Sequence, residues 1–118
     1  MTNKLATWQK RFELTTCAAV DVEKSIPDNE IGIAVVYTQA AKGAEDVIHL
    51  VVESRSSSLR SQTLKRLQTA KLPALESLTV SFKTEALKDT TAETLHAACR
   101  KQVIRAAEMR RELRPAMR

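Results

Sequence analysis

Apolar residues between Ile31 and Thr38 occupy both parities, with Ile31, Ile33, Val35 and Tyr37 on one side and Ala34 and Val36 on the other. That pattern predicts a central strand covered on both faces. Val47–Glu53 has the same two-sided character, and the polar stretch 40–45, where Gly43 supplies a residue free to take a positive φ, joins the two as a hairpin. Ahead of them, residues 25–30 (Ser-Ile-Pro-Asp-Asn-Glu) hold the strongest turn chemistry in the chain: Pro27 fixes its own φ, and the side chains of Asp28 and Asn29 close turns. The segment 12–22 fits two periods. Phe12, Leu14, Thr16, Ala18, Val20 and Val22 alternate as in a strand, whereas Leu5, Trp8, Phe12, Thr15, Ala19, Val22 and Ile26 step by three and four as in a helix. The β-branched Thr15, Thr16, Val20 and Val22 favour the strand, preceded by a helical turn near Trp8.

Further on, Ser56, Ser57 and Ser58 offer an N-cap, and Leu59, Thr63, Leu64, Leu67 and Ala70 form the apolar stripe of a helix that ends before Pro73. Leu78, Val80 and Phe82 alternate with Thr79, Ser81 and Lys83, predicting a half-exposed fourth strand. Thr90 and Glu93 have the spacing of a capping box, opening a helix that runs to Leu113 and stops near Pro115. At 100° per residue, Leu95, Cys99, Ala106, Met109 and Leu113 fall within about 80° of one another and form its core-facing stripe. The expected fold is a single α+β domain over residues 1–118, with a mostly antiparallel sheet in the order βββαβα, two helices packed on the sheet, and a basic C-terminal helix at about 90–114. A chain of 118 residues buries roughly two thirds of the surface its unfolded form exposes.

Composition narrows the setting. A hydrophobic content of 43% is that of a globular protein, and the longest apolar runs fall far short of the roughly 20 residues a membrane span needs. The polar start, residues 1–11, lacks the form of a signal peptide. A soluble, cytoplasmic protein is therefore expected. Its two cysteines, Cys17 and Cys99, show no CxxC pairing and read as small buried thiols rather than a long-range disulfide.

Charge supplies the functional clue. Residues 54–75 contain Arg55, Arg60, Lys65, Arg66 and Lys71 with no acid, residues 99–118 contain seven bases against Glu108 and Glu112, and the other segments are net acidic. Sorting of this kind suits a cationic face presented to a polyanion. On the last helix Arg100, Arg111, Arg114 and Arg118 share one flank, where the only acid is Glu93 in the first turn, while Lys101, Arg105, Glu108 and Glu112 share the other and are placed to pair locally. Arg60 projects into the apolar arc of its own helix, as a snorkelling side chain does.

Other chemistry is thin. His96 and Cys99 lie three apart, but a zinc site would require His49 and Cys17 to converge on them from distant strands, and a Cys–His nucleophile is defined by geometry rather than by presence. With only Gly32 and Gly43 there is no phosphate-cradling glycine loop, and Trp8, Phe12, Tyr37 and Phe82 are too few for a base-stacking platform. No metal or cofactor is expected. Nucleic-acid binding would run through phosphates, with little sequence preference and a steep dependence on salt.

In order, length and spacing, the stretch Ile31-Gly32-Ile33-Ala34-Val35-Val36-Tyr37, the strand Val47–Glu53, the helix from Ser57 and the strand 78–82 resemble the second strand, third strand, first helix and fourth strand of the ribonuclease H-like fold. The resemblance covers roughly residues 12–113. It implies three acids flanking two divalent cations. Asp21 or Glu23 would fill the first place and Glu85 the last, but the helix between offers Arg60, Ser61, Gln62 and Thr63, and the family's Asp-Gly-Ser turn is absent. Glu53 is the nearest substitute acid and does not match the motif. The resemblance thus implies a non-catalytic descendant.

These readings converge on a non-enzymatic module that contacts nucleic-acid backbone through Arg55, Lys65, Arg66 and Lys71 of the middle helix and Arg100, Arg111, Arg114 and Arg118 of the last. The alternative is an assembly subunit, either a homo-oligomer or an adaptor whose basic helix docks an acidic protein. A third reading is a metal-dependent nuclease using Asp21, Glu23 and Glu85.

Overall fold

The computed structural model describes residues 4–39, 46–54, 58–86 and 91–114. Helix α1 (Lys4–Arg11) leads into β1 (Thr15–Ala18), a 3-10 turn (Ala19–Asp21) and the single-turn α2 (Val22–Ser25). The hairpin strands β2 (Ile31–Thr38) and β3 (Val47–Glu53) follow, then α3 (Leu59–Thr69), a 3-10 turn (Leu75–Ser77), β4 (Thr79–Glu85) and the long α4 (Ala92–Leu113). The α+β class is as expected, with α1 and α2 added to the anticipated order.

All strand pairings are antiparallel, in the order β1-β4-β2-β3. The expected β2–β3 hairpin is present, and β4, the last strand in the chain, lies between β1 and β2. Central β2 is buried from Ile31 to Tyr37, as its two-sided apolar pattern requires. Gly32 sits where β2 comes closest to β4: a Cβ there would stand 1.9 Å from the Lys83 carbonyl oxygen.

The segment 12–22 uses both of its periods, in different places. Its strand spans only Thr15–Ala18, since the Ala19 amide bonds to the Leu78 carbonyl just where β4 begins and no ladder remains beyond it. Residues 19–25 then turn helical, and Ala19, Val22 and the C-cap Ile26 are buried. Helix α1 ends with Glu13 at φ 52° and with the Leu14 amide reaching back to the Gln9 carbonyl, a Schellman-type stop built without glycine.

Ser58 caps α3 by accepting from the Ser61 amide, within the serine run that announced it. The cap of α4 is Thr91, whose hydroxyl accepts from the Thr94 amide at 3.3 Å; the expected Thr90 lies outside the described residues, as do Ser56, Ser57 and Gly43.

Two apolar layers cover the sheet. One packs Leu5 and Trp8 of α1 and Ala106, Met109 and Leu113 of α4 on Ile33, Val35, Tyr37, Ile48 and Val51. The other packs Val22 and Ile26 from the α2 segment and Leu59, Leu64 and Leu67 from the α3 segment on Ala34, Val36, Val52, Val80 and Phe82. Helices α3 and α4 thus lie on opposite faces. Ser81, expected on the open side of β4, is buried beneath α1 and bonds Gln9, Thr16 and Tyr37 through its hydroxyl.

Candidate functional site

Helix α4 carries six of the described cations, counting Arg114 at its C-cap, and the structure divides them. Three turn inward. Lys101 lies 3.9 Å from Glu85, and the Arg105 guanidinium sits over the Phe12 ring, 5.1 Å from its centroid. Arg110 donates to both carboxylate oxygens of Glu53, at 2.5 and 3.3 Å, and to the Val51 carbonyl at 2.6 Å.

The Arg110 contact has a backbone reason. Ser54 N–H bonds to the Gly32 carbonyl, so alternation along β3 turns the amide and carbonyl of Val51 toward the open side of this edge strand. Arg110 covers that carbonyl, and Glu53, only 5% exposed, holds the guanidinium in place. A cleft of about 160 Å³ beside the pair is lined by residues of β3, by Gln62 and Arg66 of α3, and by Arg110. It is where side chains of the two basic helices approach each other around the sheet edge. Sequence reasoning missed Arg110 as distinct from its neighbours, and treated Glu53 only as a spare acid.

The other three cations, Arg100, Arg111 and Arg114, are exposed and have no carboxylate within salt-bridge distance among the described residues. At 100° per residue they lie within about 60° of one another, and a rise of 1.5 Å per residue sets Arg100 about 16 Å from Arg111 along the axis. Ile104, 56% exposed, and Ala107 occupy the interval. The flank expected to neutralise itself instead reaches other elements: Glu112 accepts from the Trp8 indole at 2.5 Å, alongside the Lys101 and Arg105 contacts above.

On the opposite face Lys65, Arg66 and Lys71 are exposed, but they are scattered. Lys65 and Arg66 point about 100° apart, and Lys71 follows the helix end. The exposed cations of α3 and α4 therefore form two separate patches on opposite faces of the sheet, and Arg66 approaches α4 at Arg110, whose donors Glu53 and Val51 occupy. Arg55 and Arg118 lie outside the described residues. Arg60 is tied down by Asp28 at 2.8 Å and by the Glu23 carbonyl.

The acids weighed for metal chemistry do not converge. Asp21 follows Ala18, which faces Thr79 at the start of β4, whereas Glu85 ends that strand; six residues at about 3.3 Å each separate those ends by roughly 20 Å. Among the described residues no group of three or more His, Cys, Asp or Glu is placed to hold a metal ion. Burial raises the pKa of both the Cys99 and Cys17 thiols, and it lowers that of His49, whose Nε2 lies 2.7 Å from the Thr38 hydroxyl. No described helix is long and apolar enough to cross a membrane. Comparison with protein-family models, curated proteins and solved structures returned no match.

Proposed function

We propose that this domain is a non-enzymatic binding module that holds nucleic-acid backbone on the outer face of α4, acting in the cytoplasm. The observation that carries the reading is the division of the α4 cations. Lys101, Arg105 and Arg110 are engaged by the protein itself, whereas Arg100, Arg111 and Arg114 are exposed, lack a carboxylate partner among the described residues and lie in one arc. Arginines kept for solubility alone have no reason to share an arc, while phosphate contacts favour one. Lys65, Arg66 and Lys71 form a second, more diffuse patch for the same polymer, with Arg55 and Arg118 as further candidates in sequence.

Three phosphate contacts give a log–log salt slope of about −2.7, so affinity for duplex should fall about 40-fold between 50 and 200 mM salt. Fluorescence anisotropy with labelled 20-mers, duplex and single-stranded, measures this directly. The variant Arg100→Ala/Arg111→Ala/Arg114→Ala should bind more weakly, with about 2.7 removed from the slope. Failure of the wild-type chain to bind either polymer at 50 mM salt would end the proposal.

A second reading, docking of an acidic protein, is favoured by Ile104, whose exposed aliphatic side chain lies among the arginines. An apolar contact of that kind loses little affinity with salt. Binding of an acidic protein that survives 200 mM salt, without nucleic-acid binding, would select it.

A further inference from the structure

The geometry points to duplex rather than single-stranded nucleic acid as the polymer held by α4, an inference that rests on the reading just proposed. Beyond Glu93 in the first turn, the outer face of the helix has Arg100, an uncharged interval at Ile104 and Ala107, and then Arg111 and Arg114. Arg100 and Arg111 are separated along the axis by about 16 Å, with Arg114 another 4.5 Å or so beyond. In a B-form duplex the phosphates of the two strands border a major groove about 12 Å wide. A helix laid across such a groove puts Arg100 on one backbone and Arg111 and Arg114 on the other, with the uncharged interval over the opening. A single strand carries its phosphates in one continuous row and offers no such gap.

Two further features work in the same direction. The first is rigidity. Cys99, Gln102, Ala106, Met109 and Leu113 are buried along α4, and its first turn is capped by Thr91, so the arginines project from a fixed scaffold. A stiff duplex meets a fixed array without being reordered, whereas a flexible strand must give up conformational freedom to match it.

The second is the placement of the aromatic rings. Trp8 is 2% exposed, Tyr37 and Phe82 are each 4% exposed, and Phe12 is stacked on Trp8 at 4.8 Å with Arg11 and Arg105 over its ring. None of these rings is free to stack an unpaired base, which is the main source of affinity for single strands in modules that prefer them. The polymers then differ through phosphate density and counterion release alone. With three contacts the expected slopes are about −2.7 for duplex and about −2.1 for single strand, and extrapolation from equal affinity at 1 M salt gives a duplex preference of about sixfold at 50 mM.

The test is anisotropy with a labelled 20-base-pair DNA duplex and its labelled single strand, titrated with the full chain from 50 to 200 mM salt. The expected result is tighter duplex binding by about sixfold or more at 50 mM, with the steeper slope. Arg100→Ala, at an exposed position, should keep the thermal midpoint, remove about 0.9 from the duplex slope and narrow the preference. Ile104→Glu retains every arginine and places a carboxylate over the groove, so it should weaken duplex binding more than single-strand binding. Equal or tighter single-strand binding would overturn this inference while leaving the broader reading intact. An Ile104→Glu variant that weakens both polymers equally would also overturn it, and loss of all binding by the wild-type chain would remove the reading beneath it.

Discussion

Replacing Arg110 with methionine keeps a long apolar stem and deletes the guanidinium, which removes three hydrogen bonds, two to Glu53 and one to the Val51 carbonyl. The Glu53 side chain is 4% exposed, so its carboxylate loses its guanidinium partner in a place that water scarcely reaches. Breaking a fully buried pair from one side costs about 3–5 kcal/mol. The Arg110 side chain is 36% exposed, however, so water can enter part of the space it leaves, and the Val51 carbonyl faces the open edge where hydration is available. Discounting for both brings the expected cost to about 2 kcal/mol. At roughly 4 °C per kcal/mol for a domain of this size, that is a fall in Tm of about 8 °C. Urea denaturation of the single variant, of Glu53→Gln and of the double variant would isolate the coupling, expected at about 1–2 kcal/mol. A cost for Arg110→Met within 0.5 kcal/mol of zero would refute this account of the β3 edge. If the domain binds nucleic acid as proposed, the same variant should leave the salt slope unchanged, because the Arg110 donors are already taken in the wild-type chain. A loss of about one unit from that slope would make Arg110 a phosphate contact instead.

Other consequences are measurable by the same methods. Gly32→Ala places a Cβ against the backbone of Lys83 and Thr84, forces β2 and β4 apart, and should cost about 3 kcal/mol in denaturant unfolding; a near-neutral result would mean that the strands do not approach this closely. Glu13→Gly relieves a left-handed backbone at the end of α1 and should stabilise by about 0.5 kcal/mol, whereas destabilisation would argue against that turn. Burial lowers the pKa of His49, so as pH falls through the ordinary value of 6.5 and below, the unfolded chain binds a proton that the folded chain refuses. Stability should therefore decline across that window, and His49→Gln should flatten the decline; an unchanged profile would discount the residue. Thr91→Ala removes the hydroxyl that caps α4 and should cost about 1 kcal/mol, with no change in unfolding midpoint counting against the cap.

Much of the architecture was legible because its signals are local. Two-sided apolar runs marked β2 and β3, the serine run marked the start of α3, and the periodic stripe through Cys99, Ala106, Met109 and Leu113 marked the buried side of α4. Where two periods coincided, in residues 12–22, periodicity could not choose, and the extent of β4 decided where the strand ended. Ser81 looked solvent-facing because alternation names two faces without saying what covers each one; α1, drawn from the far end of the chain, covers it.

The candidate site divides along the same line. The sequence by itself determined that positive charge is concentrated in two helices, and that Arg100, Arg111 and Arg114 share a flank, since both follow from composition and the helical repeat. It also determined that exposed aromatic chemistry would be scarce. Only the tertiary structure decided that α3 and α4 lie on opposite faces of the sheet, that β4 separates β1 from β2, and that Arg110 faces Glu53 while its neighbour Arg111 faces solvent. Helical spacing is fixed by residues within a few positions of one another, whereas the face a helix covers, and the partner an arginine meets across it, depend on strand order and register set by residues far apart in the chain.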